Sequence, residues 1–337
     1  MLRPTSTRPS SEVSSCTQRR LRNRRSLQAK RFSLGFFRLG PDDRRKEKVS
    51  LGVFEQHSLG DLGIGVGARI PHYDALLSRE TTSVDWVEVI SENFFVAGGE
   101  ALRKLDALRE RYTVVPHGVS LSIGGPHSLR EEYLRNLRRV LDRVDAPWFS
   151  DHLCWGGTLG GELHELLPLP FTEETIEHVA SRIREVSLRM QRPFVLENVS
   201  SYMSFQSSEM SEWEFVSRIA DQADCGLLVD CNNIYVSSKN HGLDANAYID
   251  ALPIDRIVQV HLAGHSFEDG FLLDTHSTPI CEEVLALYER LLRRVRAHAP
   301  DRRGVTTLLE WDEDIPPWSA MEVELKKIRG VTKGLVP

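Results

Sequence analysis

Histidines and carboxylates recur at eight places in this 337-residue chain, each at the end of a short run of β-branched and apolar residues. Arg69 and His72 follow the first run (RIPHYD), while the second carries Glu88 and leads into Glu92 and Asn93 (EVISENF). His117 ends the third (PHG), Asp151 and His152 the fourth (SDHLCW), and Glu197 and Asn198 the fifth (LENVS). The sixth ends in Asp230, Asn232 and Asn233 (VDCNN), and the seventh in His261 and His265 (HLAGH), with Asp274 and His276 (DTH) close behind. The eighth ends in Glu310, Asp312 and Glu313 (LEWDED). A lone His at a strand end is more often a hydrogen-bonded structural residue than a ligand. Asn or Asp after a strand is an ordinary turn residue, and the Asn232–Asn233 pair by itself reads as a turn.

The joint occurrence is a different matter. Gathering so many carboxylates without compensating cations costs on the order of several kcal/mol for each buried unpaired charge. Lys and Arg are scarce at these run ends, Arg69 being the main exception. Divalent cations are the simplest counter-charge, and an all-nitrogen and oxygen donor set suits iron, zinc or manganese while disfavouring thiolate-bound metal and iron–sulfur clusters. His72, His117, Asp151, Glu197, Asp230, Asn233, His261, Asp274, His276 and Glu310 supply more donors than one ion can use. At about four to six ligands per ion, two or three ions are implied, with a carboxylate such as Glu197 bridging. Asp274 and His276, one residue apart, put two donors on one side of an extended segment.

The elements that would position these residues alternate along the chain. Candidate strands cover 63–70, 85–90, 112–120, 148–154, 194–199, 226–233, 257–264 and 306–311. Helical patterns lie between them, clearest at 127–144, 173–191 and 280–298; in 173–191, Ile176, Val179, Ile183, Val186 and Met190 recur at helical spacing. Eight strands alternating with helices predict an α/β fold of the (β/α)8 TIM-barrel type, in which chemistry sits at the C-terminal strand ends. An open doubly wound sheet would want a glycine-rich phosphate loop after its first strand, which GVGARI does not complete.

The formal charge of −6 is a sum of two unlike parts. Residues 1–50 carry 14 Lys+Arg against 4 Asp+Glu, a net of +10; the other 287 carry 28 against 44, a net of −16. The chain therefore divides into a basic extension, residues 1–55, and a metal-dependent barrel domain, residues 56–337. The extension is Arg- and Ser-rich and lacks an apolar segment, so it reads as a transit peptide, a disordered tail or an over-extended gene start. The acidic domain argues against nucleic acid as a partner. No run approaches about 18 apolar residues, so no membrane span is expected. Five cysteines, Cys16, Cys154, Cys225, Cys231 and Cys281, without CxxC spacing, fit a reducing, cytoplasmic location.

The blocks GVGARIPHYD, DWVEVISENF, PHGVSLSIGG, FSDHLCW, LENVSSYM, LLVDCNNIYVSSKNHG, HLAGHS and DTHSTPI, in order from about Gly63 to Pro316, resemble the multinuclear non-heme iron-dependent oxidative enzymes. That family includes the oxidase of methanobactin biosynthesis and was long known as an uncharacterised bacterial family. The resemblance implies an O2-dependent oxidoreductase of natural-product biosynthesis, binding two or three irons and modifying cysteine residues of a ribosomally made precursor peptide. It also implies a second protein that recognises the peptide's leader.

The fold implied is similar to that of the xylose isomerase and endonuclease IV barrels, where a Glu ending strand 5 bridges metals, as Glu197 would. Carried over, one ion sits on His72, His117, Asp151 and Glu197, a second on Glu197, Asp230, His261 and Glu310, and a third on Asn233, Asp274 and His276. In this partition Asp230, Asn232 and Asn233 compete for the strand-6 position. Glu197, Asp230, His261 and Glu310 form the catalytic set. His241 and His265 match family motifs and would orient ligands or face substrate. Arg69, Glu92 and Asn93 would line the pocket or close the barrel end through a salt bridge. Two other readings remain open: a three-zinc endonuclease IV-like phosphodiesterase or sugar isomerase-like barrel, and a non-catalytic metal-binding scaffold subunit.

Overall fold

The computed structural model describes residues 57, 59–78, 83–158, 161–302 and 304–335. The basic extension expected over residues 1–55 lies outside them. In chain order the elements are β1 (Ile64–Gly67), α1 (Tyr73–Leu77), β2 (Trp86–Ile90), α2 (Glu100–Arg109), β3 (Thr113–His117) and α3 (Glu131–Val144). Next come β4 (Phe149–His152), a hairpin of β5 (Trp155–Thr158) and β6 (Gly161–Leu167), α4 (Glu173–Met190), β7 (Phe194–Glu197) and α5 (Glu212–Ala223). Then follow β8 (Gly226–Asp230), α6 (Cys231–His241), α7 (Ala245–Ala251), β9 (Ile257–Leu262) and a second hairpin of β10 (Ser266–Glu268) and β11 (Phe271–Leu273). The chain ends with α8 (Glu282–His298), β12 (Thr306–Leu309) and α9 (Trp318–Gly334).

Eight parallel strands close a barrel in the order β1-β12-β9-β8-β7-β4-β3-β2, as the eight apolar runs predict. The helices cover its outside. On α4 the residues at helical spacing, Ile176, Val179, Ile183, Val186 and Met190, are all buried. Burying each such side chain contributes about 1.5–3 kcal/mol. Thr172 starts the helix by accepting from the Thr175 amide at 3.3 Å.

Inside the barrel the strands alternate. Trp86, Val115, Trp148, Val195, Leu228, Val258 and Leu308 form an apolar floor. Two residues further along the same strands stand Glu88, His117, Ser150, Glu197, Asp230 and Glu310, a buried polar layer above the floor. On β9 the register shifts opposite Leu227 and Leu228, so that Gln259 and His261 join this layer although Val258 belongs to the floor. Gly65 makes room for the floor: a Cβ there would stand 2.5 Å from the Trp86 ring.

One strand expectation needs correcting. The sixth run ends at Asp230, not at 233, and Asn232 and Asn233 lie in the first turn of α6 and not in a turn. The Asp230 side chain caps that helix, accepting from the Asn233 amide at 2.7 Å, a D-x-x-N cap that the apolar pattern conceals. The two hairpins, both on the C-terminal side of the barrel, were also not among the predicted elements.

Candidate metal centre

Six barrel strands or their C-terminal ends, with the loop after β11, bring donors into three groups, each with its candidate ligand atoms within 4.8 Å of one another: His117, His152 and Glu197; Glu197, Asp230, His261 and Glu310; and His276, Glu310 and Asp312. Glu197 belongs to the first two and Glu310 to the last two. The His117 and His152 Nε2 atoms stand 3.5 and 3.4 Å from Glu197 Oε2. His261 Nδ1 is 3.4 Å from Glu197 Oε1 and 2.9 Å from Glu310 Oε2.

Several donor atoms have nothing to bond. Glu197 Oε2, Asp230 Oδ2 and Asn233 Oδ1 are buried and accept no hydrogen bond from the described residues. Buried polar atoms are ordinarily paired, and converging unpaired oxygens next to imidazole nitrogens are what a metal ion would satisfy. Neighbouring groups aim the ligands. Ser150 Oγ is 2.8 Å from His117 Nδ1, leaving Nε2 to face Glu197. Asn198 fixes the ends of β7 and β8 together, donating to the Asp230 carbonyl at 3.1 Å and accepting from the Asp230 amide at 2.9 Å. It also takes the Asn233 amide nitrogen at its own carbonyl, at 3.0 Å, which turns Asn233 Oδ1 the other way.

The electrostatics follow from burial and crowding. Burial, and then the neighbouring His152 and His261, push the His117 imidazole well below its usual pKa, so it presents a neutral lone pair. His261 moves the other way: burial opposes its charge, but the Glu88, Glu310 and Glu197 carboxylates raise it well above the ordinary range. Burial, with Asp274 close by, drives Asp230 well upward. A divalent ion held among these groups would favour the charged form of the Asp230 carboxyl, opposing the effect of burial.

The residues singled out from sequence fall into different places. His117, Glu197, Asp230, His261, His276 and Glu310 stand in the three groups. His152 and Asp312, seen at run ends but given no ligand role, complete the first and third groups in positions that the expected partition gave to Asp151 and Asp274. Asp151 points the opposite way from His152: its carboxylate accepts from the His152 amide at 2.8 Å and the Leu121 amide at 3.2 Å. Burial raises it to about 7. Asp274 stands beside the third group, 2.8 Å from His276 Nε2, and accepts from Asn232 Nδ2 at 2.6 Å. Asn232 Oδ1 in turn accepts from His265 Nδ1 at 2.7 Å, so both ends of that amide are engaged while Asn233 Oδ1 remains free. His72 stands outside the three groups. Its Nε2 is held by the Pro316 carbonyl at 2.8 Å, which leaves Nδ1 buried and unbonded, the disposition of a histidine ligand.

Arg69 pairs with Asp312 and approaches Glu310 at 3.7 Å, so it both closes this end of the barrel and lines the cavity. Glu92 Oε1 accepts from the Val119 and Ser120 amides at 2.9 and 2.8 Å and from the Tyr133 hydroxyl at 2.6 Å, shaping the loop after β3. Asn93 is exposed. His241 Nε2 lies against Ser201, 3.0 Å from its hydroxyl, one loop away from the groups. A cavity of about 340 Å³ opens over the centre, lined by Arg69, His117, His152, Asn233, His276 and Glu310 among others, with Glu165 and Leu166 of β6 at its edge. Strand parity is the signal that could have identified His152 and Asp312: Trp148, Ser150 and His152 share one face of β4, and Leu308, Glu310 and Asp312 one face of β12 and its extension.

Among solved structures, the chain is similar to endonuclease IV from Thermus thermophilus, with a TM-score of 0.53 and 14% identity, covering 80% of this chain and 99% of that one. It is likewise similar to a xylose isomerase domain containing protein from Salmonella typhimurium, with a TM-score of 0.52 and 15% identity, covering 83% and 99%. At such identities the likeness shows the fold alone. In sequence, the chain is 46% identical over 284 residues to a UPF0276 protein of Anaeromyxobacter sp., covering 82% of this chain and 98% of the relative. It is 47% identical over 268 residues to a UPF0276 protein of Caulobacter vibrioides, covering 79% and 93%. Over residues 63–333, which hold every ligand group described above, it matches the family described as RiPP precursor modification enzyme MbnB/TglH/ChrH, and it belongs to that family.

Proposed function

We propose that this chain is a multinuclear non-heme iron enzyme that uses O2 to modify cysteine residues of a ribosomally made precursor peptide in natural-product biosynthesis. The observation that carries the reading is the sharing of Glu197 and Glu310 among three adjacent donor groups on one barrel rim, in a chain of this family. Bound iron would supply the thiolate affinity and redox chemistry that no side chain of the site offers. The first ion would be held by His117, His152 and Glu197, the second by Glu197, Asp230, His261 and Glu310, and the third by His276, Glu310 and Asp312. His72, Asn233 and Asp274 stand by as additional donors.

The remaining residues bind, orient and exclude water. The described cysteines are unpaired, with Cys154, Cys225 and Cys231 buried; they pack the barrel and do not compete with a substrate thiol. Ile70, Val119, Tyr202, Met203, Phe267 and Phe271 are exposed on connections that leave the C-terminal ends of the barrel strands, and they offer an apolar rim to a peptide or to the leader-recognising protein that would present it. Among the described residues no helix is long and apolar enough to cross a membrane. The cytoplasm, where a substrate cysteine stays reduced, is the compartment this chemistry fits.

Protein purified without oxygen and loaded with Fe(II) should show two or three irons per chain by metal analysis and Mössbauer spectroscopy, and should consume O2 when a cysteine peptide is added. A preparation that holds only zinc and takes up no O2 with such a peptide overturns the reading. Cleavage of abasic-site DNA by the zinc form would replace it with the phosphodiesterase alternative.

A further inference from the structure

On the side of His261 away from Glu197 and Glu310, a chain of polar groups crosses the barrel interior. Trp148, at the foot of β4, donates its indole N–H to Gln259 Oε1 at 2.9 Å. Gln259 Nε2 donates to Glu88 Oε2 at 2.6 Å, and the same oxygen lies 3.1 Å from His261 Nε2. All four side chains are buried; Trp148 belongs to the apolar floor, and Gln259, Glu88 and His261 lie against it or above it. An apolar side chain of similar volume would pack at that depth without the desolvation cost of a carboxylate, so stability alone gives little reason for Glu88.

The chain has a direction. An indole can only donate, so Gln259 must turn Oε1 to Trp148 and Nε2 toward Glu88. Gln259 Nε2 also lies 2.9 Å from His261 Nε2, and the amide alone would therefore favour the tautomer with its lone pair at Nε2 and its proton at Nδ1. That proton would point at Glu310 and Glu197, leaving no lone pair for an ion. The Glu88 carboxylate favours the opposite arrangement, in which His261 donates from Nε2 and turns the Nδ1 lone pair toward the acids.

We infer that Glu88 is a positioning residue which, held by Gln259 and Trp148, sets the His261 tautomer so that Nδ1 can hold a metal ion together with Glu197, Asp230 and Glu310. The inference rests on the metal-centre reading above. A carboxylate behind a ligating histidine typically changes metal affinity by about 10- to 100-fold.

The test is a Co(II) titration of the metal-free full-length chain against a competing chelator, followed in the visible ligand-field bands. Glu88→Gln, nearly isosteric, should bind about 10- to 100-fold more weakly. Its metal-free circular dichroism and melting temperature should stay as in the wild type. Glu88→Asp, which keeps the charge but withdraws it by one methylene, should recover part of the affinity. In the zinc form, ¹⁵N shifts should show His261 protonated at Nε2 in the wild type. Wild-type affinity in Glu88→Gln, or no recovery in Glu88→Asp, overturns the role of Glu88 while leaving the centre standing. A wild-type chain that takes up no Co(II) overturns the centre and this role together.

Discussion

Glu197 places one carboxylate among three histidines, His117 and His152 at Oε2 and His261 at Oε1. Glu197→Gln keeps the volume and the hydrogen-bonding capacity but removes the charge that two ions would share. Bound metal should fall by more than one equivalent per chain. The residual affinity should drop by more than the roughly 10- to 100-fold that losing an outer partner costs. Adjacent residues of β4 offer a sharper contrast: His152→Ala should release metal, whereas Asp151→Asn, whose carboxylate accepts backbone amides outside the groups, should retain it, both read by metal analysis. Equal metal loss in both variants would count against the site as drawn. That pair also marks how much was legible. The chemistry of SDH pointed to a donor at the end of strand 4, assigned to Asp151, but which neighbour faces inward depends on parity along the strand. Parity could be read only by extending Trp148 and Ser150 forward to His152. His72 and Asn233 were named as donors from residue type and resemblance alone, because one closes a turn of 3-10 helix and the other sits in the first turn of α6, where strand parity says nothing.

The barrel strands and the three clearest helices were visible because each obeys one period: alternate residues along strands, and the spacing of Ile176, Val179 and Ile183 along α4. The two hairpins escaped because strands as short as β10 and β11 carry too few residues for a period to emerge. Helix contacts outside the site make their own prediction. Burial raises Glu212, at the start of α5, to about 7, while the Tyr248 hydroxyl of α7, donating at 3.1 Å, works in the lowering direction. Its folded-state pKa thus lies above the ordinary 4.5, so the neutral carboxyl stabilises the fold fully below that value, and this contribution is lost as pH rises through about 7. Glu212→Gln keeps an acceptor for Tyr248 and cannot ionise. It should equal the wild type near pH 4.5 and exceed it above pH 7, by on the order of 2 to 3 kcal/mol in denaturant unfolding. Parallel stability curves for the two proteins across that range would refute the assignment.

At the scale of the molecule, the acidic balance of the chain beyond its first 50 residues acquires a location. The excess of 44 Asp+Glu over 28 Lys+Arg includes Glu88, Glu197, Asp230 and Glu310, all buried at one end of a barrel whose other end is filled by tryptophan and aliphatic side chains. The fold therefore has an apolar end that packs by itself and a polar end whose buried acids would be balanced by bound cations. Metal should bind the folded chain far better than the unfolded one, and loading should raise stability by mass action. With free metal about 100-fold above its dissociation constant, the gain per ion is about 2.7 kcal/mol, or roughly 5 °C in melting temperature for a barrel of this size. Hydrogen exchange should locate the gain. Removing metal with a chelator should expose the amides at the C-terminal ends of β7, β8, β9 and β12, where the candidate ligands stand, and leave those beside Trp86 and Trp148 protected. An unchanged melting temperature after chelation, in a preparation shown to contain metal beforehand, would mean that the ions lie elsewhere than among the buried acids.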